Sequence, residues 1–470
     1  MTDSRCDVQP YGDDPTVRAR VLEYCGATRT DPPSAAYVAT LRKGEEPFVT
    51  WGSAARHPVS EVARLLHAGG DLARSLWDTR HLVLLIDLDH QNPDDPGEPF
   101  LHPADVFVRL EPTYRAMRHV LSVAGIAALP VMTGRGYHFV GTIALDHPVI
   151  DRLATLRPKA PSWYATHERR RPPEADARIT ERQARAAEGL GLLIEYLAHQ
   201  AVRRAASSSP IPVTVNGTVV GHGVHGRECA SVDFSHVGDP LDIRHFRVAF
   251  GPYQWHRARP DIFGPAAARH TPDLVALPRA RRNLLAMLLG GRTPAFGQQL
   301  AGRSHAVIPD VSPGVARLLV RYEASRLARF HRAFDDVAAA SALPPLDREA
   351  MPPCVSPALD RPNDLLLKPE HIQHLTRWLV SRGWTARQVA ELVCAAYQDS
   401  HGWGERWTRG DARTRADFDV RVFGGMIATG LDQMIDFNCM SAREKYICPR
   451  VGCPHDLRFD RDRALAQVGP

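Results

Sequence analysis

The chain has 470 residues (52.0 kDa), of which 44% are hydrophobic and 24% charged, values that exclude wholesale disorder and fibrous repeats. No apolar run approaches the ~20 residues that cross a bilayer, and MTDSRCDVQPYGDD lacks the basic-then-apolar order of a secretory signal, so a cytoplasmic protein is expected. The net charge is +5, and the 58 basic residues include only four lysines (Lys43, Lys159, Lys368, Lys445), a bias that fits a GC-rich coding sequence as well as a phosphate-rich partner.

The N-terminal half reads as mixed strands and helices. His81–Ile86 is a continuous apolar run of strand length that leads into Asp87-Leu88-Asp89. A polar, proline-rich loop follows, then a predicted helix over 112–123 with Pro112 in its first turn. Strands are predicted over 126–132 and 137–145, joined by the turn Thr133-Gly134-Arg135-Gly136 as a hairpin. Residues 167–206 are rich in Arg and Ala, with a helix expected near 176–205 and no role legible in the sequence. Residues 211–220 have strand character with an Asn216-Gly217 turn signal, and 231–235 and 244–250 are further strand candidates. From about 265 the pattern becomes helical, with apolar spacing over 278–289 and 315–340 and a linker at Ala342-Leu343-Pro344-Pro345. Thr385-Ala386-Arg387-Gln388 fits a capping box at the start of a later helix.

Three motifs carry chemistry. Asp87 and Asp89 lie two apart on a strand, so both carboxylates point to one face. Paired hard oxygen ligands suit Mg²⁺ or Mn²⁺, although a solvated strand end has the same pattern. The turn Thr133-Gly134-Arg135-Gly136-Tyr137-His138 lets backbone approach a phosphate, with Arg135 and His138 as donors; alone it is also an ordinary hairpin turn. Asp233, in Ser231-Val232-Asp233-Phe234-Ser235, is a third acid within an apolar stretch, and Arg247 follows in the next strand candidate.

In order and spacing these motifs resemble the archaeo-eukaryotic primase superfamily, the group of the small primase subunit and the primase-polymerases. The resemblance covers roughly residues 35–265. It implies metal ligation by Asp87, Asp89 and Asp233, and triphosphate contacts from Thr133, Gly134, Arg135, Gly136, His138 and Arg247. His138 joins the three acids in the implied catalytic set.

Near the C-terminus, Cys439, Cys448, Cys453 and His455 are spaced closely enough for a tetrahedral Zn²⁺ site. A second reading replaces His455 by Cys354, which is separated from Cys439 by 84 residues. Pro-Pro-Cys, a helical stretch and three further cysteines resemble the iron–sulfur domain of the primase large subunit, which implies a [4Fe–4S] cluster on Cys354, Cys439, Cys448 and Cys453. Trp378, Trp384, Tyr397, Trp403, Trp407, Arg406 and Arg409 are candidates for stacking on bases and pairing with phosphates; helical spacing favours core for Trp378 and Tyr397.

The expectation is an α+β catalytic domain over 1–265, an RRM-like sheet flanked by helices, then a helical linker region over 266–345. A mainly α-helical, primase large-subunit-like metal-binding domain would occupy 346–470. The resemblance implies de novo primer synthesis on single-stranded DNA from NTPs or dNTPs by two-metal nucleotidyl transfer. Replication or mobile-element proteins would be its partners, and no membrane. A metal-dependent nuclease and a non-catalytic nucleic-acid-binding protein with a degenerate polymerase domain are the alternatives.

Overall fold

The computed structural model describes residues 10–40, 54–157, 159–165, 179–217, 220–221, 226–238, 245–279, 283–336, 343–360, 369–397, 412–449 and 452–468. The chain is an α+β protein in which helix predominates. Its strands are β1 (Val38–Thr40), β2 (Ala55–His57), β3 (Leu72–Ser75), β4 (His81–Gln91), β5 (Leu129–Met132), β6 (Gly136–Ala144), β7 (Val213–Val215), β8 (Cys229–Asp233), β9 (His245–Arg247), β10 (Pro252–Tyr253), β11 (Leu274–Val275) and β12 (Leu277–Pro278). The main sheet has the order β12-β5-β6-β4-β8-β7, a smaller one β2-β1-β3-β9, and β10 pairs with β11. Every pairing is antiparallel except β7 with β8.

The helices used below are α1 (Pro15–Tyr24), α2 (Pro103–Ala124), α3 (Glu181–Ala205), α4 (Ser312–Glu323), α5 (Arg326–Asp335), α6 (Pro369–Ser381), α7 (Ala386–Tyr397), α8 (Ala412–Ala428), α9 (Cys439–Glu444) and α10 (Leu457–Val468). β4 is apolar from Leu82 to Ile86 because it is an inner strand with covered faces there. On one face Tyr137 and Phe139 of β6 meet Phe107 and Tyr114 of α2.

α2 begins at Pro103, nine residues before the expected start, and Pro112 lies inside it. Val106, Phe107, Leu110, Tyr114, Met117 and Leu121 form one buried stripe at helical spacing across Pro112. That burial offsets the ~3 kcal/mol an interior proline costs. The Arg- and Ala-rich stretch yields α3, a core helix that packs on α2 and β4. The expected helix over 315–340 is two, because the Ser325 side chain caps α5 by accepting from the Ala328 N–H at 3.1 Å. Pro278 sits in edge strand β12, and the helix after it starts only at Leu284. Asn216 and Gly217 do turn with positive φ (56° and 67°), but β7 then runs parallel to β8, so no two-residue hairpin forms there.

The 266–345 stretch is part of the same body. Its β12 completes the main sheet beside β5, α4 contacts β6, and the 265/266 boundary falls within the helix Pro260–His270. One hydrophobic core extends from Val17 to Ala464. Among the described residues no helix is long and apolar enough to cross a membrane.

Candidate active site

β4 delivers Asp87 and Asp89 to the sheet face opposite that covered by α2. Antiparallel register then sets their neighbours: Asp87 lies directly across from His138 on β6 and from Asp233 on β8. Such partners have Cβ atoms ~5 Å apart on one face, so His138, Asp87 and Asp233 form a row over three strands. His138 Nε2 is 3.6 Å from Asp87 Oδ1. Asp233 Oδ1 accepts from the Ser235 N–H and hydroxyl, each at 2.7 Å, which fixes its side chain at the strand end.

Asp89 lies across from Gly136. A Cβ at Gly136 would stand 1.8 Å from the Leu88 carbonyl oxygen, so only glycine permits this pairing. The Thr133 N–H donates to Gly136 O at 2.9 Å and closes the turn. Arg135 reaches back from the turn to form an ion pair with Asp89. Burial works against the Arg135 charge, but Asp89, Tyr253 and Asp87 hold its pKa above the ordinary arginine value. The turn rests on Tyr253, whose ring lies 2.5 Å from where a Gly134 Cβ would be. Burial pushes the Tyr253 hydroxyl up to about 12 against the charges of Arg247 and Arg135.

Arg247 stands apart from the carboxylate row. It belongs to β9 of the smaller sheet, is ion-paired to the buried Asp71, and covers the Tyr253 ring at 3.8 Å. Its contact with the turn therefore runs through Tyr253.

The helical C-terminal part adds a residue that sequence reasoning missed. Asp419 of α8 is 2% exposed, and its Oδ2 has no hydrogen-bond partner among the described residues, with Arg415 Nε 3.9 Å away. Burial and the neighbouring Asp233 charge push its pKa up to about 6. Phe418 meets Phe234 edge-on at 5.8 Å, which docks α8 against the end of β8. Nothing local in Asp417-Phe418-Asp419 signals that this acid is buried near the charge of Asp233.

Cys354, Cys439, Cys448 and Cys453, with His455, line one cavity of about 640 Å³ between α9, α10 and the segment before α6. Burial, reinforced by the other three cysteines, raises the Cys354 pKa. His374 Nε2 is 3.3 Å from Cys354 Sγ. Among the described residues, only His90, Glu98 and Glu228 place three potential ligand atoms within 4.8 Å of one another. No three of the cysteine and histidine ligand atoms around this cavity therefore lie within 4.8 Å of one another. Four thiolates with a histidine around one cavity are a donor set of the kind that both an iron–sulfur cluster and Zn²⁺ take. Arg109 balances part of the charge of the His90 group: its Nε is 2.7 Å from Glu228 Oε1 and its guanidinium also bonds Glu98. His90 faces away from Asp87 on β4.

Trp378 is buried as expected, and Trp384 is buried too, which removes it as a base-stacking surface. Trp403, Trp407, Arg406, Arg409 and the Tyr397 side chain lie outside the described residues. No family model, curated protein or solved structure matches this chain.

Proposed function

We propose that the chain is a DNA primase or primase-polymerase that joins nucleotides on single-stranded DNA by two-metal nucleotidyl transfer. The observation that carries this reading is the row His138–Asp87–Asp233 with Asp89 beside it, assembled by register from three strands far apart in sequence. Asp87, Asp89 and Asp233 supply hard carboxylate oxygens on one face, a donor set that fits Mg²⁺ or Mn²⁺. When bound, two such ions supply activation of the attacking hydroxyl and charge stabilisation of the leaving pyrophosphate.

The chain's own groups then have defined tasks. Gly134 and Gly136 allow the turn to lie close to a triphosphate, and His138 donates to its oxygens. Arg135 exchanges Asp89 for phosphate, which frees that carboxylate for metal. Arg247 supports the turn through Tyr253. Asp419 adds negative charge next to Asp233 and couples the C-terminal helices to the site. The four cysteines would hold a [4Fe–4S] cluster whose role is to fasten α9 and α10 to the segment that carries Cys354.

The test is primer synthesis on unprimed single-stranded DNA with labelled nucleotides and Mg²⁺ or Mn²⁺, with Asp87→Ala/Asp89→Ala alongside. Short products from wild type alone support a primase. Extension restricted to a supplied primer indicates a polymerase without initiation. Strand cleavage without added nucleotides would replace the proposal with a nuclease, and no reaction by metal-replete protein would leave a binding protein.

A further inference from the structure

On the far side of α2 from the sheet lies an open groove of about 1330 Å³ with a basic lining. Arg115, Arg118 and His119 come from the exposed face of α2, Arg204 from the last turn of α3, and Arg279 from the residue after β12. Glu111 is the only carboxylate among the lining residues, which gives a net charge of +3 with His119 neutral. That acid is already engaged by Arg279, at 2.7 Å and 3.0 Å, and by Arg115 at 2.9 Å. The Arg204 and His119 side chains make no ion pair or hydrogen bond among the described residues. Exposed hydroxyls of Ser207 and Ser208 line the same groove.

Excess arginine with neighbouring hydroxyls suits phosphodiesters. Among the described lining residues the groove has no exposed Trp, Tyr or Phe ring: Tyr114 is 2% exposed and lies beneath Arg279 at 4.0 Å, which leaves the His119 imidazole as its one exposed ring. Proteins that hold single strands rely on aromatic rings, whereas duplexes are held by their backbones. α2 and the main sheet separate the groove from Asp87, so the contact is distinct from the carboxylate row.

We infer that this groove binds the sugar–phosphate backbone of a nucleic-acid duplex, without sequence preference and away from the synthetic centre. The inference rests on the nucleotidyl-transfer reading for the identity of the polyanion.

The experiment measures affinity by fluorescence anisotropy for a labelled DNA duplex and a single strand of equal length between 50 and 200 mM salt. The full chain is compared with Arg118→Gln/Arg204→Gln, which alters two exposed positions. Each lost phosphate contact reduces the slope of log affinity against log salt by ~0.9, so the duplex slope is expected to shrink by about two. Arg118→Lys/Arg204→Lys restores it, which a purely structural role would not do. An unchanged duplex slope overturns the inference, as does an equal change for the single strand. Asp87→Ala keeps the two questions separate: it removes synthesis and leaves the duplex slope intact. A slope change without synthesis by wild type would sink the enzyme reading and spare the groove.

Discussion

The junction between α3 and α8 turns on Glu195, which is fully buried. Its Oε1 lies 3.1 Å from His331 Nε2, and its Oε2 accepts from Arg421 Nε at 3.3 Å. His331 Nδ1 in turn meets the Tyr322 hydroxyl at 2.8 Å. Burial opposes the carboxylate charge, but His331 and Arg421 hold its pKa down, from the usual 4.5 to about 2. That lowering corresponds to roughly 3 kcal/mol in favour of the charged form in the folded state. Glu195→Gln keeps the shape and strands the Arg421 guanidinium, which is 1% exposed. The independent expectation for breaking a buried pair is a loss of ~3–5 kcal/mol, so the two routes agree.

Because the folded pKa is depressed, this stabilisation is complete above pH ~4.5 and disappears as pH falls towards ~2. Urea unfolding of wild type, Glu195→Gln, Arg421→Gln and the double variant at pH 7 tests the argument. The double variant is expected to lose less than the sum of the singles, since removal of both charges leaves none stranded. α8 also presents Asp419 to Asp233, so loosening this seam should depress site activity at temperatures below global unfolding. A Glu195→Gln loss below about 1 kcal/mol, or additive singles, would refute the assignment of Glu195 as the charge that docks α8.

Gly136→Ala should abolish the pairing at Asp89 and with it both metal binding and synthesis, because the new methyl meets the backbone carbonyl of Leu88 rather than a movable side chain; Mn²⁺ titration of protein checked by circular dichroism decides this. Cys354→Ser should lower the iron and inorganic sulfide content of anaerobically purified protein and its visible absorption, whereas unchanged metal content would assign the site to the C-terminal residues Cys439, Cys448, Cys453 and His455. Burial lowers the His199 pKa from 6.5 to about 4, so the unfolded chain takes up a proton first and stability falls as pH drops through that window, by up to about 3 kcal/mol. His199→Leu should flatten that limb in unfolding curves at pH 7 and 5. Thr429 does not depend on this histidine, because its hydroxyl also donates to Gly425 O at 2.8 Å.

Features written in adjacent residues were legible from the sequence. The apolar run into Asp87-Leu88-Asp89 became β4, and the Thr133–Gly136 turn joined β5 to β6 as a hairpin. The Thr385–Gln388 capping box formed with reciprocal bonds of 2.9 Å and 3.3 Å. These follow from strand alternation, turn sterics and unsatisfied helix-end donors, all of which act within a few residues. Proline at 112 misled the helix start because a local penalty was outweighed by a buried stripe spanning it.

Only the tertiary structure decided which distant residues meet. Two acids on β4 fix a face, but the register of β8, about 140 residues later, sets Asp233 opposite Asp87. The resemblance implies a triphosphate contact for Arg247, and the fold pairs it with Asp71 and lays it on Tyr253. Asp419 carries no local signal and comes within range of the Asp233 charge only because Phe418 and Arg421 dock α8. Cys354 joins three cysteines far along the chain because the intervening helices fold back. The physical reason is the same in each case. Periodicity and caps are set by the chain's own neighbours, whereas register, docking and charge pairing are chosen by whichever arrangement buries the most apolar surface with its polar groups satisfied.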